Sequence, residues 1–387
     1  MRIVLFANTD WYLYNFRLAM ALQLRDRGAE VVMLSPPGSF GERFRSHGLR
    51  WLTLPMDRAG LNPWRELGTL QRLFQLLRSE QPDLLHNFTV KCAVYGGLAA
   101  RAARVPAIVH AVAGMGYVFS SDRIKARLLR PVVSGLMRGV LGQGHSRVIL
   151  QNPDDAETMT ASGLVPEERI RVIMGSGVDT RRFRPGQPKN AQQRLRVLLA
   201  ARLLREKGVD EFVNAARLLR DSGRDIEFLL AGTPDPGNPN SVSQQEVEAW
   251  QAEGLLRWLG HVEDMPTLLN AVDVMALPSY YREGVPRCLL EGAASGLALV
   301  TTDMPGCREV VTRHGEDGLQ VQPRDAESLA ALLARLDDDR ELLQRLGRNA
   351  RSRAVEHFDE RQVIQRTMEV YDELLPTPSW PEPQPSR

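Results

Sequence analysis

The sequence predicts an α/β protein made of two doubly wound parallel sheets. Three observations lead there. Short β-branched and aliphatic runs alternate with longer amphipathic stretches, the pattern of strands joined by covering helices. The alternation stops at a Gly/Pro-rich break and then restarts. A chain of 387 residues suits two domains, at roughly 100–200 residues each.

Arg2–Ala7 reads as the first strand, Tyr12–Gly28 as a helix ended by glycine, and Glu30–Ser35 as the second strand. Short strands follow at 50–54, 83–86, 107–111, 146–150 and 169–173. Gly175-Ser176-Gly177, Arg184-Pro185-Gly186 and Pro188 form the break, with a linker near 176–193. Beyond it come a strand at 195–201, a helix at 206–221 and a strand at 226–231. Further strands fall near 256–259, 273–277, 298–302 and 318–321. The helical run Glu360–Leu375 has no strand after it, and Pro376–Arg387 carries five prolines in twelve residues, a composition expected to be disordered. The expected division is 1–177, 178–359, a helix at 360–375 and a tail at 376–387.

Composition narrows the class. The chain is 43% hydrophobic and 25% charged with a net charge of +2, as in a soluble globular protein. No apolar run approaches the ~18–20 residues of a membrane span. The opening run turns polar at Asn8-Thr9-Asp10, too soon for a secretion signal. Cys92, Cys288 and Cys307 are odd in number and form no C-x-x-C, which argues against a disulfide framework or zinc site. A cytoplasmic protein is expected.

The near-neutral total hides an asymmetry. Residues 1–185 carry 25 Lys+Arg against 15 Asp+Glu, a balance of +10, and the remainder carries 24 against 32, or −8. A basic half suggests an anionic partner there. Nucleic acid fits poorly, since the basic stretch has few interleaved aromatics.

Familiar nucleotide and metal signatures are missing. Asn8-Thr9-Asp10-Trp11 follows the first strand instead of G-x-G-x-x-G, and no P-loop occurs. His86, His110, His145 and His261 lack metal-ligand spacing, and no Asp-x-Asp pair stands out as a metal holder for a nucleotide sugar. No metal or cofactor is expected.

The informative block runs from Leu277-Pro278-Ser279 through Glu283-Gly284-Val285 to Leu290-Glu291-Gly292. A strand ends at Pro278, a turn follows, and a helix is expected from near Val285. Its first-turn amides can bind an anion such as a diphosphate. Glu291, about two turns in, can accept hydroxyl hydrogen bonds from a ribose. A second block, Arg202-Leu203-Leu204-Arg205-Glu206-Lys207-Gly208, follows the first strand of the second domain. Arg202 and Lys207 can flank a diphosphate, Arg as a fork and Lys as a point charge. The chain has only four lysines, at 91, 125, 189 and 207.

Together Arg202, Lys207-Gly208, Leu277-Pro278-Ser279, Glu283-Gly284, Leu290-Glu291-Gly292 and Gly296 resemble the retaining GT-B glycosyltransferases of family 4 (GT4). Val178-Asp179…Phe183 and Leu259-Gly260-His261-Val262 also fit that pattern. Ser279–Arg287 and His86–Lys91 look like a narrower branch, the N-acetylgalactosaminyltransferases that extend polyprenyl-diphosphate-linked sugars. The resemblance implies two Rossmann-like domains facing a cleft, with a UDP-sugar donor bound mainly by the second. It implies Arg202 and Lys207 on the diphosphate, Glu291 on the ribose, Glu283 with Gly284 and Leu290 around the donor, and His110 toward the donor sugar. It also implies retention without metal or covalent enzyme intermediate. One departure is Asn8–Tyr12 in place of the family's Gly-Gly turn, at the acceptor side of the first domain.

On that acceptor side, Arg17, Lys91, Arg123, Lys125, Arg127 and Arg130 are candidates for a lipid-linked saccharide, and the basic amphipathic stretch 120–143 for peripheral contact with the cytoplasmic face of the inner membrane. Two other readings stand beside this one. The first is a hexosyltransferase with another donor or a soluble acceptor. The second is a non-catalytic protein that binds anionic lipid.

Overall fold

The computed structural model describes residues 1–57, 60, 62–112, 124–142, 144–187 and 193–375; of 124–130 and 132 it describes the backbone alone. The chain divides into two units, Met1–Ser176 with Val363–Arg387, and Gly177–Gln362. The tail expected to be disordered, 376–387, lies outside the described residues.

The first unit holds seven strands: β1 (Arg2–Phe6), β2 (Glu30–Ser35), β3 (Arg50–Thr53), β4 (Leu84–Phe88), β5 (Ala107–Val112), β6 (Ser146–Leu150) and β7 (Ile170–Val172). All pair in parallel in the order β3-β2-β1-β4-β5-β6-β7. β4 and β5 are buried at every residue, as expected of central parallel strands covered on both faces. Into this apolar setting the sequence places His86, Asn87 and His110.

The helix Glu360–Asp372 starts in the second unit and finishes in the first. Val363, Ile364, Met368 and Tyr371 pack into the core of Ile3, Leu5, Leu13 and Met20. Just past the helix, Glu373 takes hydrogen bonds from Arg147 (2.7 Å) and Arg171 (2.7 and 2.6 Å). These two arginines hold its carboxyl below the usual carboxylate value, Arg171 first and Arg147 next.

The second unit holds β8 (Leu195–Ala200), β9 (Ile226–Ala231), β10 (Arg257–Gly260), β11 (Val274–Leu277), β12 (Ala298–Thr302) and β13 (Leu319–Val321). They are parallel in the order β10-β9-β8-β11-β12-β13. Val197, Leu199, Phe212, Leu230, Val300 and Leu333 belong to its core. Its two ends are pinned together: the Val178 amide donates to Phe358 O at 2.8 Å and the Glu360 amide to Val178 O at 3.0 Å.

Two helix starts differ from the sequence expectation. The stretch expected to be helical over 206–221 is a 3-10 turn, Arg205–Lys207, followed by the helix Val209–Asp221. Gly208 between them has φ +78°, and a Cβ there would lie 2.3 Å from Pro278 O. Only glycine permits that conformation and approach together. The helix expected near Val285 starts at Arg287, with Pro286 extended at its N-cap. Glu291 is therefore its fifth residue, little more than one turn in.

Candidate active site

In the second unit, strand order reverses between β8 and β11, the place where open parallel sheets form a ligand crevice at their carboxyl ends. Lys207 and Glu283 lie on the segments that follow these two strands. Lys207 Nζ forms an ion pair with Glu283 Oε1. Ser279 Oγ lies 3.1 Å from the same carboxylate oxygen and 3.0 Å from Glu206 O. The Tyr280 amide also donates to Glu206 O, at 3.0 Å, so the two segments are tied through backbone as well as side chains.

The turn that carries Glu283 is supported from below. Thr301 Oγ1 donates to Leu277 O at 2.7 Å and Thr302 Oγ1 to Ser279 O. Gly306, at φ +86°, comes so close that a Cβ there would lie 1.9 Å from Gly284 O. Glu283 is buried. Burial pulls the Lys207 pKa down, but the charge and hydrogen bond of Glu283 outweigh it, and the net direction is up. Lys207 thus stays cationic. Burial pushes the neighbouring Cys288 thiol up to about 12, so it is not a thiolate nucleophile near neutral pH.

The other donor-side candidates are distributed around this pair. Arg202 follows β8, is largely exposed, and pairs with Asp235 on the loop after β9 at 3.1 Å. Glu291 accepts from Arg287 Nε at 2.8 Å, one turn back on the same helix. That helix has no side-chain cap and no acidic residue in its first turn. Leu290 is fully buried; as a correction to the donor-contact expectation, its side chain belongs to the core and presents nothing to a ligand.

In the first unit, His110 Nδ1 lies 3.3 Å from Asn87 Nδ2, and both residues are fully buried. Gly96 and Gly97 make room for them; a Cβ at 96 would lie 1.8 Å from Asn87 Oδ1. Burial lowers the His110 pKa to about 3, so the ring is neutral. With Nδ1 accepting from Asn87, hydrogen-bond pattern assigns the proton to Nε2, which has no partner. His86 Nδ1 bonds Tyr371 Oη at 2.6 Å. Burial first, then the charges of Arg17 and His110, hold His86 well below the usual histidine value.

The acceptor-side candidates separate. Arg17 is buried against Tyr12 and Phe88. Lys91 donates to Asp57 O (2.6 Å), Gly60 O (3.3 Å) and Glu66 Oε1 (3.0 Å). Those contacts occupy all three of its protons, and correct the expectation of a lysine open to an acceptor. Arg123 lies outside the described residues, as do the side chains of Lys125, Arg127 and Arg130, whose backbone is in the helix Ile124–Leu141.

Residues 180–353 match the family of glycosyl transferases group 1, and residues 16–174 match the glycosyl transferase 4-like domain. Over 386 residues, 97% of this chain and 99% of the relative, the sequence is 31% identical to the N,N'-diacetylbacillosaminyl-diphospho-undecaprenol alpha-1,3-N-acetylgalactosaminyltransferase of Campylobacter jejuni. The chain belongs to the group 1 glycosyltransferases.

This glycosyltransferase is also 26% identical, over 80% of each chain, to the UDP-Gal:alpha-D-GlcNAc-diphosphoundecaprenol alpha-1,3-galactosyltransferase of Escherichia coli. Its fold matches Anabaena HepE, crystallised with UDP and glucose, at a TM-score of 0.78 and 20% identity over 96% of this chain and 99% of that one. WaaG, a glycosyltransferase involved in lipopolysaccharide biosynthesis, matches at 0.72 and 18% identity over 96% and 99%. The two parallel-sheet units are those of the GT-B fold. Among the described residues of the glycosyltransferase, no three His, Cys, Asp or Glu side chains gather as metal ligands, and no helix is long and apolar enough to cross a membrane.

Several residues of these clusters have roles that the linear sequence does not announce. Ser279 and Asn87 stand inside the motifs 277–279 and 86–91, but nothing in a linear motif says which side chain they orient. The Arg287–Glu291 pair was readable from its i, i+4 spacing. Asp235, Thr302 and Gly306 reach the site only through the strand order β9-β8-β11-β12.

Proposed function

We propose that this glycosyltransferase moves an N-acetylhexosamine, with N-acetylgalactosamine favoured, from its UDP-sugar to an undecaprenyl-diphosphate-linked saccharide, with retention and without metal. The observation that carries the donor half is the Lys207–Glu283 pair at the carboxyl edge of β8 and β11. It sets a cation for phosphate oxygens beside a carboxylate for sugar hydroxyls. The acceptor half draws on the similarity to the Campylobacter enzyme, whose name states such an acceptor.

The leaving group is UDP, so the enzyme's main task is to stabilise developing negative charge. Lys207 and Arg202 take the diphosphate, together with the N-terminal end of the helix Arg287–Ala294. Glu283 accepts hydrogen bonds from the donor sugar, backed by Ser279, and Gly284 lets the backbone approach it. Glu291, oriented by Arg287, accepts from the ribose. His110 acts as a neutral hydrogen-bond donor through Nε2 and holds the sugar rather than moving a proton. No enzyme-bound sugar intermediate forms; a donor phosphate oxygen takes the acceptor proton on the face from which UDP departs. The protein works at the cytoplasmic face of the inner membrane as a peripheral protein.

The test is UDP release in EDTA with UDP-N-acetylgalactosamine, with and without an undecaprenyl-diphosphate-linked amino sugar. Acceptor-dependent release with an α-linked product is expected. Release only with UDP-galactose would replace the donor, and none with any lipid-linked acceptor would overturn the acceptor.

A further inference from the structure

Arg17 is a buried cation with no counter-ion among the described residues. Its side chain lies on the helix Asp10–Asp26, 6% exposed. The guanidinium carbon stacks 4.5 Å from the Phe88 ring centroid and 5.7 Å from that of Tyr12. One Nη donates to Tyr12 Oη at 3.0 Å, and Nε, fully shielded from solvent, has no partner. No carboxylate pairs with it among the described residues. The nearby titratable groups do not compensate: burial keeps His86 neutral, and raises the Tyr371 hydroxyl so that it too stays uncharged. An arginine cannot shed its proton to escape such a site, and a buried charge left unpaired is strongly unfavourable. Aromatic faces soften that cost without supplying a negative charge.

Its position adds direction. β1 and β4 are the neighbours at which the strand order of the first unit reverses, the expected ligand crevice of this sheet. Arg17 follows β1, and Phe88 closes β4. Immediately after Phe88, the 14-residue helix Val90–Ala103 begins with no side-chain cap and no acidic residue in its first turn. Its one basic group there, Lys91, is turned away to Glu66.

We propose that Arg17, with the uncapped first turn of the helix Val90–Ala103, forms a subsite for anionic phosphate oxygens, and that its ligand is the diphosphate of a lipid-linked acceptor. This rests on the acceptor reading above and assigns that reading its charged anchor in the first unit.

The experiment uses the full chain with saturating UDP, so that the nucleotide site is filled. Thermal unfolding and calorimetry are followed with inorganic diphosphate and with farnesyl diphosphate. Wild-type protein should bind farnesyl diphosphate and gain Tm. R17M should show an unliganded Tm equal to or above wild type, because the uncompensated charge is gone, and should lose the ligand-dependent gain. R17K, which keeps the charge but not the fork, should bind at least about tenfold more weakly. In turnover assays, R17K should raise the acceptor KM and leave the donor KM unchanged, a split that a purely structural arginine would not produce. Retained farnesyl diphosphate affinity in both variants overturns the subsite. Equal affinity for inorganic and farnesyl diphosphate overturns the lipid-linked source. Binding is read without sugar transfer, so a failed donor assignment leaves this test intact.

Discussion

Lys207 and Glu283 are each other's charge partner, 76 residues apart in sequence and joined at the reversal of strand order in the second unit. On the proposed function, donor binding redirects both: the ammonium toward phosphate oxygens and the carboxylate toward sugar hydroxyls. In the unliganded protein each keeps the other from being an unpaired charge in a largely buried site. K207A and E283A should each lower turnover by ~10²–10³, the scale for losing a charge-stabilising contact. Each should also destabilise the fold, toward the lower end of the ~3–5 kcal/mol seen when one partner of a buried pair is removed. The double variant should be more stable than the sum of the singles implies. Urea unfolding of the four proteins checks this, and simple additivity would mean that the pair is not coupled. Because the folded Lys207 value is raised, its share of stability is present below the ordinary lysine value of about 10.4 and is lost as pH rises through the folded one.

The ribose assignment is separable from the phosphate one. E291A should weaken UDP binding about 10–100-fold, the loss expected for one charge-assisted hydrogen bond of ~1.5–3 kcal/mol. E291Q, which keeps one acceptor, should fall between. Calorimetric titration with UDP and with deoxy-UDP analogues lacking the ribose hydroxyls measures it. A Kd for UDP that does not move in E291A removes Glu291 from the ribose.

His110 makes an opposite pair of predictions about pH. Its folded value of about 3 lies below the free histidine value of about 6.5. As pH falls between these, the unfolded chain takes up a proton that the folded protein refuses. Stability is then lost at about 1.4 kcal/mol per pH unit for this one group. H110N should flatten the acid limb of the stability profile relative to wild type between pH 6.5 and 4.5, measured by denaturant midpoint. Turnover, in contrast, should show no ionisation near 6.5 traceable to this residue, because a neutral donor has nothing to titrate there.

The support under the Glu283 turn can be tested by adding one methyl group. G306A forces a Cβ into the space held by Gly284 O and requires φ +86° of a residue with a side chain. The turn must shift, so kcat should fall at least tenfold while far-UV circular dichroism is retained. Wild-type kcat in G306A would show that the turn's position is not what sets the rate.

The strands were legible because each is a short aliphatic run between Gly, Pro or Asn punctuation, and their parallel order follows from the intervening helices. Lys207 and Glu283 were legible as motif members, since Gly208 and Pro278 flag the turns that present them. What the residues could not announce was mutual contact. A linear reading puts Lys207 at the start of a helix, and the φ +78° glycine that ends the 3-10 turn after it is what separates it from that helix. Lys91 shows the converse error. A lysine in a basic half looks available to a ligand, yet Glu66 and two carbonyls of the 57–60 segment take its protons. Leu290 fails for a related reason: a motif preserves the spacing of a helix without saying which face of it is packed.

The pinning of Val178 to Phe358 and Glu360 has a genetic reading. The second unit enters and leaves through neighbouring backbone, and the sequence on either side of it belongs to the first. In architecture it is an insertion, a closed module spliced into a host whose last core residues, Met368 and Tyr371 among them, are translated after it. Residues 1–176 expressed alone would lack that final layer and should not fold, whereas 177–362 carries both of its own ends and can be excised whole. Exchange between relatives at these two neighbouring junctions would transplant one module and leave the host's core intact.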